Sequence, residues 1–395
     1  MSQTRRPKLC IVSLYSYPLF NPECRGAFGG SEVRISLIAR ELAQRGCFDV
    51  NFVVFDHGQP KQEIREGITF YAHSSYVAPH NSNEPYSRVS WQQSTRDKLR
   101  QWLRSAPPPF GGWIWQIKQW LRLLKFSLLY RDQIAGRIGP YLIEKTKLSV
   151  YDEVAADLYI LPGNSHIAAE LVFYCQQHNK KYIFLAGSDG DYQPIYKEQP
   201  NAVEPHYGWV GYLLVYAIEH ATAHITQSEH QAQLLQDHYR RTSVIIGNPL
   251  NLNRTFPKEV TADTILWIGK SDKVKRPEII LNLARSSPEY RFLVIMNLSD
   301  QVIHQRCLTE AEKLSNVTIL SYVSFDEVER YFAQAKLFIN TSAFEGFPNT
   351  FLQAAKYEVP IISLQVDPGE MLSRYGCGLL CAGSFESLQK MCITS

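Results

Sequence analysis

The chain has 395 residues, 45% of them hydrophobic and 20% charged, with a formal net charge of +3. That length predicts two or three domains each able to bury its own core, and the composition excludes a disordered or fibrous protein. The small charge gives no argument for a nucleic-acid partner. The eight cysteines (Cys10, Cys24, Cys47, Cys175, Cys307, Cys377, Cys381 and Cys392) contain no C-x2-C pair, which fits reduced thiols better than a disulfide framework or a zinc site.

In chain order, the basic start leads into LCIVSLY (residues 9–15). No small-residue cleavage site follows, so the run reads as a first strand and not as a signal peptide. GAFGGSEVRISLIARELAQRG (residues 26–46) is a glycine turn feeding an amphipathic helix, opened by Ser31 and Glu32. Further strands are predicted at residues 50–55, 158–162, 182–186 and 224–226, with helices such as 165–179 between them, hence a parallel sheet covered on both faces. GNSH (163–166) and AGSDGDY (186–192) follow strands, so His166, Asp189 and Asp191 should face the cleft of such a sheet, where one of them could orient an acceptor hydroxyl. His166 reads equally well as a helix-cap neighbour, and the two aspartates also resemble a metal pair.

An insert at about 95–135 interrupts this alternation. After PPP (107–109) comes FGGWIWQIKQWLRLLKFSLLY, with Lys118, Arg122 and Lys125 on one narrow stripe and Trp113, Trp115 and Trp120 among the apolar residues. This predicts a helix over 113–130 lying in a membrane interface, gaining roughly 1 kcal/mol per cation from anionic lipid. Three cations argue against a spanning helix. A core or dimer-interface helix would account for the aromatics as well.

The polar, turn-rich NLNRTFPKEVTADT (251–264) divides the chain into a first domain, 1–255, and a second, 256–395. The second opens with ILWIGKSDKVKRPEIIL (265–281), a strand ending at Gly269, then clustered cations, then a helix. Such a loop could bring Lys270 and Lys275 onto one leaving diphosphate. Strands follow at 291–296, 317–320, 337–340 and 360–364. After LFINTSA (337–343), Glu345-Gly346-Phe347 turns the chain, and Pro348 suits a first helical position. The helix should stop before Pro360. The free amides of Asn349 and Thr350 at its N-terminus favour an anion such as a diphosphate. Glu345 is an acceptor, suited to sugar hydroxyls or to developing positive charge.

On these residues the chain resembles the retaining, GT-B-fold glycosyltransferases of family 4, whose carboxyl half carries a G-R-x5-K loop followed by an E-x7-E motif. The resemblance also takes in VIIGNPLNL (244–252) and the glycine turn before the first helix. It implies an α/β fold of GT-B type, two Rossmann-like doubly wound parallel-sheet domains facing a central cleft. It also implies transfer of a hexose from a nucleotide-diphosphate sugar to a glycan or lipid-linked hydroxyl, in cell-surface polysaccharide or glycolipid synthesis. In that setting Lys270 and Lys275 hold the diphosphate, Glu345 the donor sugar and Gln353 the ribose, while Gly29 and Gly30 approach the donor phosphates. No cofactor or essential metal is expected, because the cations and the helix dipole do that work. Cytoplasmic residence, at the inner face of a membrane if the insert binds lipid, follows from the same reading.

Two departures from the family pattern stand out. Gln353 replaces the second acidic residue of E-x7-E, and Lys270 stands where arginine is usual. After CGLLCAGSFESLQKMCITS the sequence also lacks the further helices with which family members brace the first domain. Gln353 and the short carboxyl end motivate an alternative reading as a non-catalytic scaffold or regulator, while Lys270 still suits phosphate. An epimerase or phosphorylase of the same fold is disfavoured, since no second carboxylate stands beside Glu345. A nicotinamide enzyme is disfavoured because no G-x-G-x-x-G follows the first strand.

Overall fold

The structure, a computed structural model, describes residues 5–24, 26, 28–77, 131–204, 208–252, 256–259 and 263–394. The insert at 113–130, with its expected membrane contact, lies outside the described residues. No helix among the described residues is long and apolar enough to cross a membrane.

Among the described residues of the first part of the chain, ten strands form: β1 (Lys8–Val12), β2 (Asp49–Asp56), β3 (Gln62–Arg65), β4 (Ile68–Val77), β5 (Ile134–Ile138), β6 (Tyr141–Glu144), β7 (Leu158–Pro162), β8 (Lys181–Leu185), β9 (Ala223–Thr226) and β10 (Val244–Ile245). Eight of them make one sheet in the order β10-β9-β8-β7-β1-β2-β4-β3, while β5 and β6 form a separate antiparallel hairpin. Every neighbouring pair of the large sheet is parallel except β3 with β4. The second part adds β11 (Thr264–Lys270), β12 (Arg291–Asn297), β13 (Val317–Leu320), β14 (Leu337–Asn340), β15 (Ile361–Ser363) and β16 (Gly378–Leu380). These give a six-stranded, wholly parallel sheet in the order β13-β12-β11-β14-β15-β16.

Each sheet is buried on both faces, as parallel sheets are, and its strands therefore read as near-continuous apolar runs. Alternate side chains feed different cores. In β1, Cys10 and Val12 enter one cluster and Leu9 and Ile11 the other; in β11, Ile265 and Trp267 oppose Leu266. In both sheets the strand order reverses beside the first strand, at β1 between β7 and β2 and at β11 between β12 and β14. A crevice opens at such a switch point, outside the carboxyl ends of the strands. The loops after β1, β7, β8, β11 and β14 are thus the ones positioned to bind a ligand.

Several elements went unanticipated. These are the β3–β4 hairpin, the β5–β6 hairpin and β16. The helix over residues 349–356 begins one residue later than expected, because Pro348 takes the N-cap position with extended backbone (φ −65°, ψ 121°). The helix after Gly29 is capped by that glycine's own backbone, with Glu32 Oε2 accepting from Gly29 N at 2.7 Å.

Two buried histidines give the first domain an acid liability. Burial drives the His73 imidazole from 6.5 down to about 4. Burial, aided by the Arg241 charge, does the same to His224, also to about 4. A group whose folded pKa is depressed stabilises the fold above its unfolded pKa, and that contribution is lost as pH falls from about 6.5 through about 4. Thermal melts should therefore show a fall in Tm between about pH 7 and about pH 5, and His224→Phe should make that fall shallower. Identical slopes for the two proteins would contradict this assignment.

Candidate active site

The loops that follow β11 and β14 are built as one unit. Asp272 Oδ1 accepts from the amides of Val274 (3.0 Å) and Lys275 (2.8 Å), which curls the chain just after Lys270. Arg276 then adopts left-handed backbone (φ 50°). Its guanidinium reaches across to donate to the carbonyls of Thr341 (2.7 Å) and Ser342 (2.9 Å) and to Gln365 Oε1 (3.2 Å). Thr341 Oγ1 returns a bond to the Lys275 carbonyl at 2.5 Å and accepts from Trp267 Nε1 at 2.8 Å. Ala343 N donates to the Val274 carbonyl at 2.8 Å.

This lacing brings Lys275 against Glu345, 70 residues away in sequence, in a part-buried ion pair between Lys275 Nζ and Glu345 Oε1. Lys270 lies beside the other domain. A Cβ built on Gly29 would come within 3.1 Å of Lys270 Nζ and 2.8 Å of Glu32 Oε2, which marks how closely the two domains approach here. Gly30 is nearly as close to the second domain, its carbonyl accepting from Asn349 Nδ2 at 2.9 Å. Gly269 packs under Trp267, whose ring a Cβ would strike at 2.7 Å. Among the described residues the amides of Asn349 and Thr350 have no backbone acceptor, as expected of a helix N-terminus. Phe347 packs partly onto the second domain's core. Gln353 is buried on the same short helix.

The first-domain residues divide differently from expectation. Asp189 does face the second domain. Burial pushes its carboxyl up to about 6, although Gln231 and His230 oppose the shift, and Asp191 and Glu345 add to it. Asp191 instead turns into its own loop, where it is buried and accepts from the amides of Asn164 (3.0 Å), Gly187 (2.6 Å) and Ser188 (3.0 Å). Its carboxylate is consumed in shaping the loop and offers nothing to an acceptor. The two aspartates therefore differ in role, and among the described residues no group of three or more His, Cys, Asp or Glu is placed to hold an ion.

His166 starts its helix just after the capping Ser165 and sits 3.5 Å from the Tyr76 hydroxyl, at the mouth of a buried polar cluster. Tyr76 donates to Glu170 at 2.9 Å, and Lys147 pairs with Glu170 at 2.9 Å. Although burial works to raise it, the Glu170 carboxyl is held below its ordinary range by the charges of Lys147 and His166 and by the hydroxyl of Tyr141.

Residues 262–394 match the family model of the glycosyl transferases group 1. That match falls on the second domain. No curated protein sequence matches the chain. Among solved structures, a sucrose-phosphate synthase from Thermosynechococcus elongatus superposes with a TM-score of 0.64 at 14% identity, over 98% of this chain and 88% of that one. An alpha,alpha-trehalose 6-phosphate synthase from Burkholderia multivorans gives 0.54 at 10% identity, over 97% and 90%. The lipopolysaccharide outer core galactosyltransferase WaaB gives 0.51 at 16%, over 97% and 88%. At these identities the likeness is one of fold, and the fold is GT-B. With the family domain it supports a nucleotide-sugar glycosyltransferase.

Arg276, Asp272, Gln227, Gln231 and Asn248 were not anticipated from the sequence. Arg276 lies in the basic run KVKR, indistinguishable there from Lys273, which is exposed. For the glycosyltransferase domain, Arg276→Lys should cost about 2 kcal/mol in urea unfolding, since an ammonium cannot span two carbonyls as the guanidinium fork does. Wild-type stability in this variant would show that the two loops are held by other contacts.

Proposed function

We propose that the protein is a retaining hexosyltransferase that moves a sugar from a nucleotide diphosphate to a hydroxyl of a glycan or glycolipid. The observation that carries this reading is the contact between Lys275 and Glu345 at the carboxyl ends of β11 and β14, with Lys270 beside Gly29 across the cleft. Cations at a departing diphosphate stabilise charge that grows as the sugar–oxygen bond breaks. The amides of Asn349 and Thr350 add the positive end of a helix on the same side. With its ammonium partner drawn to phosphate, Glu345 is released to accept from donor-sugar hydroxyls or to face the positive charge that develops on the ring. Gln353 would serve the ribose as both donor and acceptor.

In a same-face displacement the bond from the anomeric carbon to the diphosphate oxygen breaks, and the acceptor oxygen bonds to that carbon on the side the diphosphate leaves. The acceptor's proton passes to the departing phosphate oxygen, so no strong protein base is required. Asp189 and His166, on the first-domain side, are the residues we assign to holding the acceptor. The cations and helix N-terminus take the role that a metal would otherwise fill. Synthesis of a cell-surface polysaccharide or glycolipid, at the inner face of a membrane, is the setting this chemistry fits.

Replacing Glu345 or Lys275 by alanine should lower turnover by about 10²-fold or more, the usual cost of removing one charge-stabilising group. The anomeric proton coupling of the product should match that of the donor. Turnover unchanged in both variants would remove these residues from the chemistry, and an inverted product would rule out retention. The scaffold alternative, motivated by Gln353, predicts no turnover by the wild type with any donor.

A further inference from the structure

Four side-chain amides run in one line across the domain boundary. Gln231, fully buried, donates from Nε2 to Asp189 Oδ1 and to Gln227 Oε1, both at 3.1 Å, and accepts from the Gln227 amide at 2.8 Å. Gln227 Nε2 donates to Asn248 Oδ1 at 3.0 Å. Asn248 Nδ2 donates to the Phe347 carbonyl (2.8 Å) and to Asn349 Oδ1 (2.7 Å). Asn349 Nδ2 then returns to the Gly30 carbonyl at 2.9 Å.

The direction of this chain is not arbitrary. The Gln227 N–H can only donate, which fixes the oxygen of Gln231; the Phe347 carbonyl can only accept, which fixes the nitrogen of Asn248. Read from either end, the assignments agree. Two further contacts secure its first-domain end. Buried Arg34 donates to the carbonyls of Ala186 (2.9 Å) and Ile246 (2.6 Å), pinning the segments that lead to Gly187 and Asn248. A Cβ on Gly346 would collide with Gln227 and come within 2.6 Å of Gln231 and 3.1 Å of the Gly187 carbonyl. The donor loop is thus seated directly on the amide chain.

We propose that Gln227, Gln231 and Asn248 are positioning residues, a polarity-matched amide chain through which the first domain grips the loop carrying Glu345 and holds the cleft closed. The chain is anchored on the Asp189 carboxylate, which is faced by His230 at 3.8 Å, by Asp191 of its own loop and by Glu345 of the other domain. Because its links accept only one orientation, the grip depends on where the hydrogens are and not on side-chain volume alone. It rests on contacts within the chain and does not require the donor assignment.

The test replaces an amide by its carboxyl isostere and follows closure by small-angle X-ray scattering of the full chain without ligand. Asn248→Asp sets an ionised oxygen against two acceptors, Phe347 O and Asn349 Oδ1. Its radius of gyration should rise by roughly 1 Å at about pH 8, from the roughly 21 Å of a compact chain of this length, and return at about pH 5, where a protonated carboxyl can donate again. Gln231→Glu, facing Asp189, should behave alike, since two carboxylates in contact share a proton at lower pH. Gly346→Ala should expand the protein at both pH values. Wild-type scattering from both carboxyl variants at about pH 8, with native circular dichroism, would overturn the proposal. Expansion of both that ignores pH would also overturn it, by showing that shape and not hydrogen-bond polarity holds the cleft.

Discussion

The ion pair between Lys275 and Glu345 is the contact on which the candidate site depends. Each side chain is largely withdrawn from water, and a charge in that position without a partner is costly. The pair therefore does two things at once. It keeps both charges paired where they are partly buried, and in the proposed function it would yield each to a ligand group that replaces the other. A diphosphate brings more negative charge than one carboxylate, so it can take the ammonium. In the proposed transfer, Glu345 would then be left to the sugar.

That contact exists because two loops far apart in sequence are made into one body. The parallel sheet puts the ends of β11 and β14 side by side at its switch point, and Arg276, Thr341 and Asp272 fix the loop geometry there. The first sheet repeats the arrangement around β1, which places Gly29 and Gly30 opposite Lys270. The domains come close there, and again at Gly346, where a Cβ would collide with the amide chain. The same few contacts that assemble the site thus also determine how the two domains meet.

Much of this was legible in the sequence where a feature has a local signature. Continuous apolar runs such as residues 265–268 and 337–339 identify buried parallel strands, and a glycine or a proline marks the turn from strand to helix that follows. The hairpin β3–β4 escaped because QEIR and its partner alternate only weakly and pair at an edge. Asp191 was misplaced since a carboxylate that shapes its own loop looks, in sequence, like one that faces a ligand. Arg276 and the amides of Gln227, Gln231 and Asn248 could not be found from pattern, because their roles come from partners 65 to 101 residues away or from side-chain orientation. The sequence expectation for residues 113–130 stands apart from the described structure.

In the proposed function a nucleotide-diphosphate sugar binds in the cleft, gripped by Lys275. The most direct measurement is the melting temperature of the full chain against UDP-, GDP- and ADP-sugars at concentrations near millimolar. A donor at about 100 times its dissociation constant stabilises the fold by ~2.7 kcal/mol, a shift of several degrees. The account predicts such a shift with one nucleotide and its loss in Lys275→Ala. A cooperatively melting protein whose transition moves with none of them would contradict it.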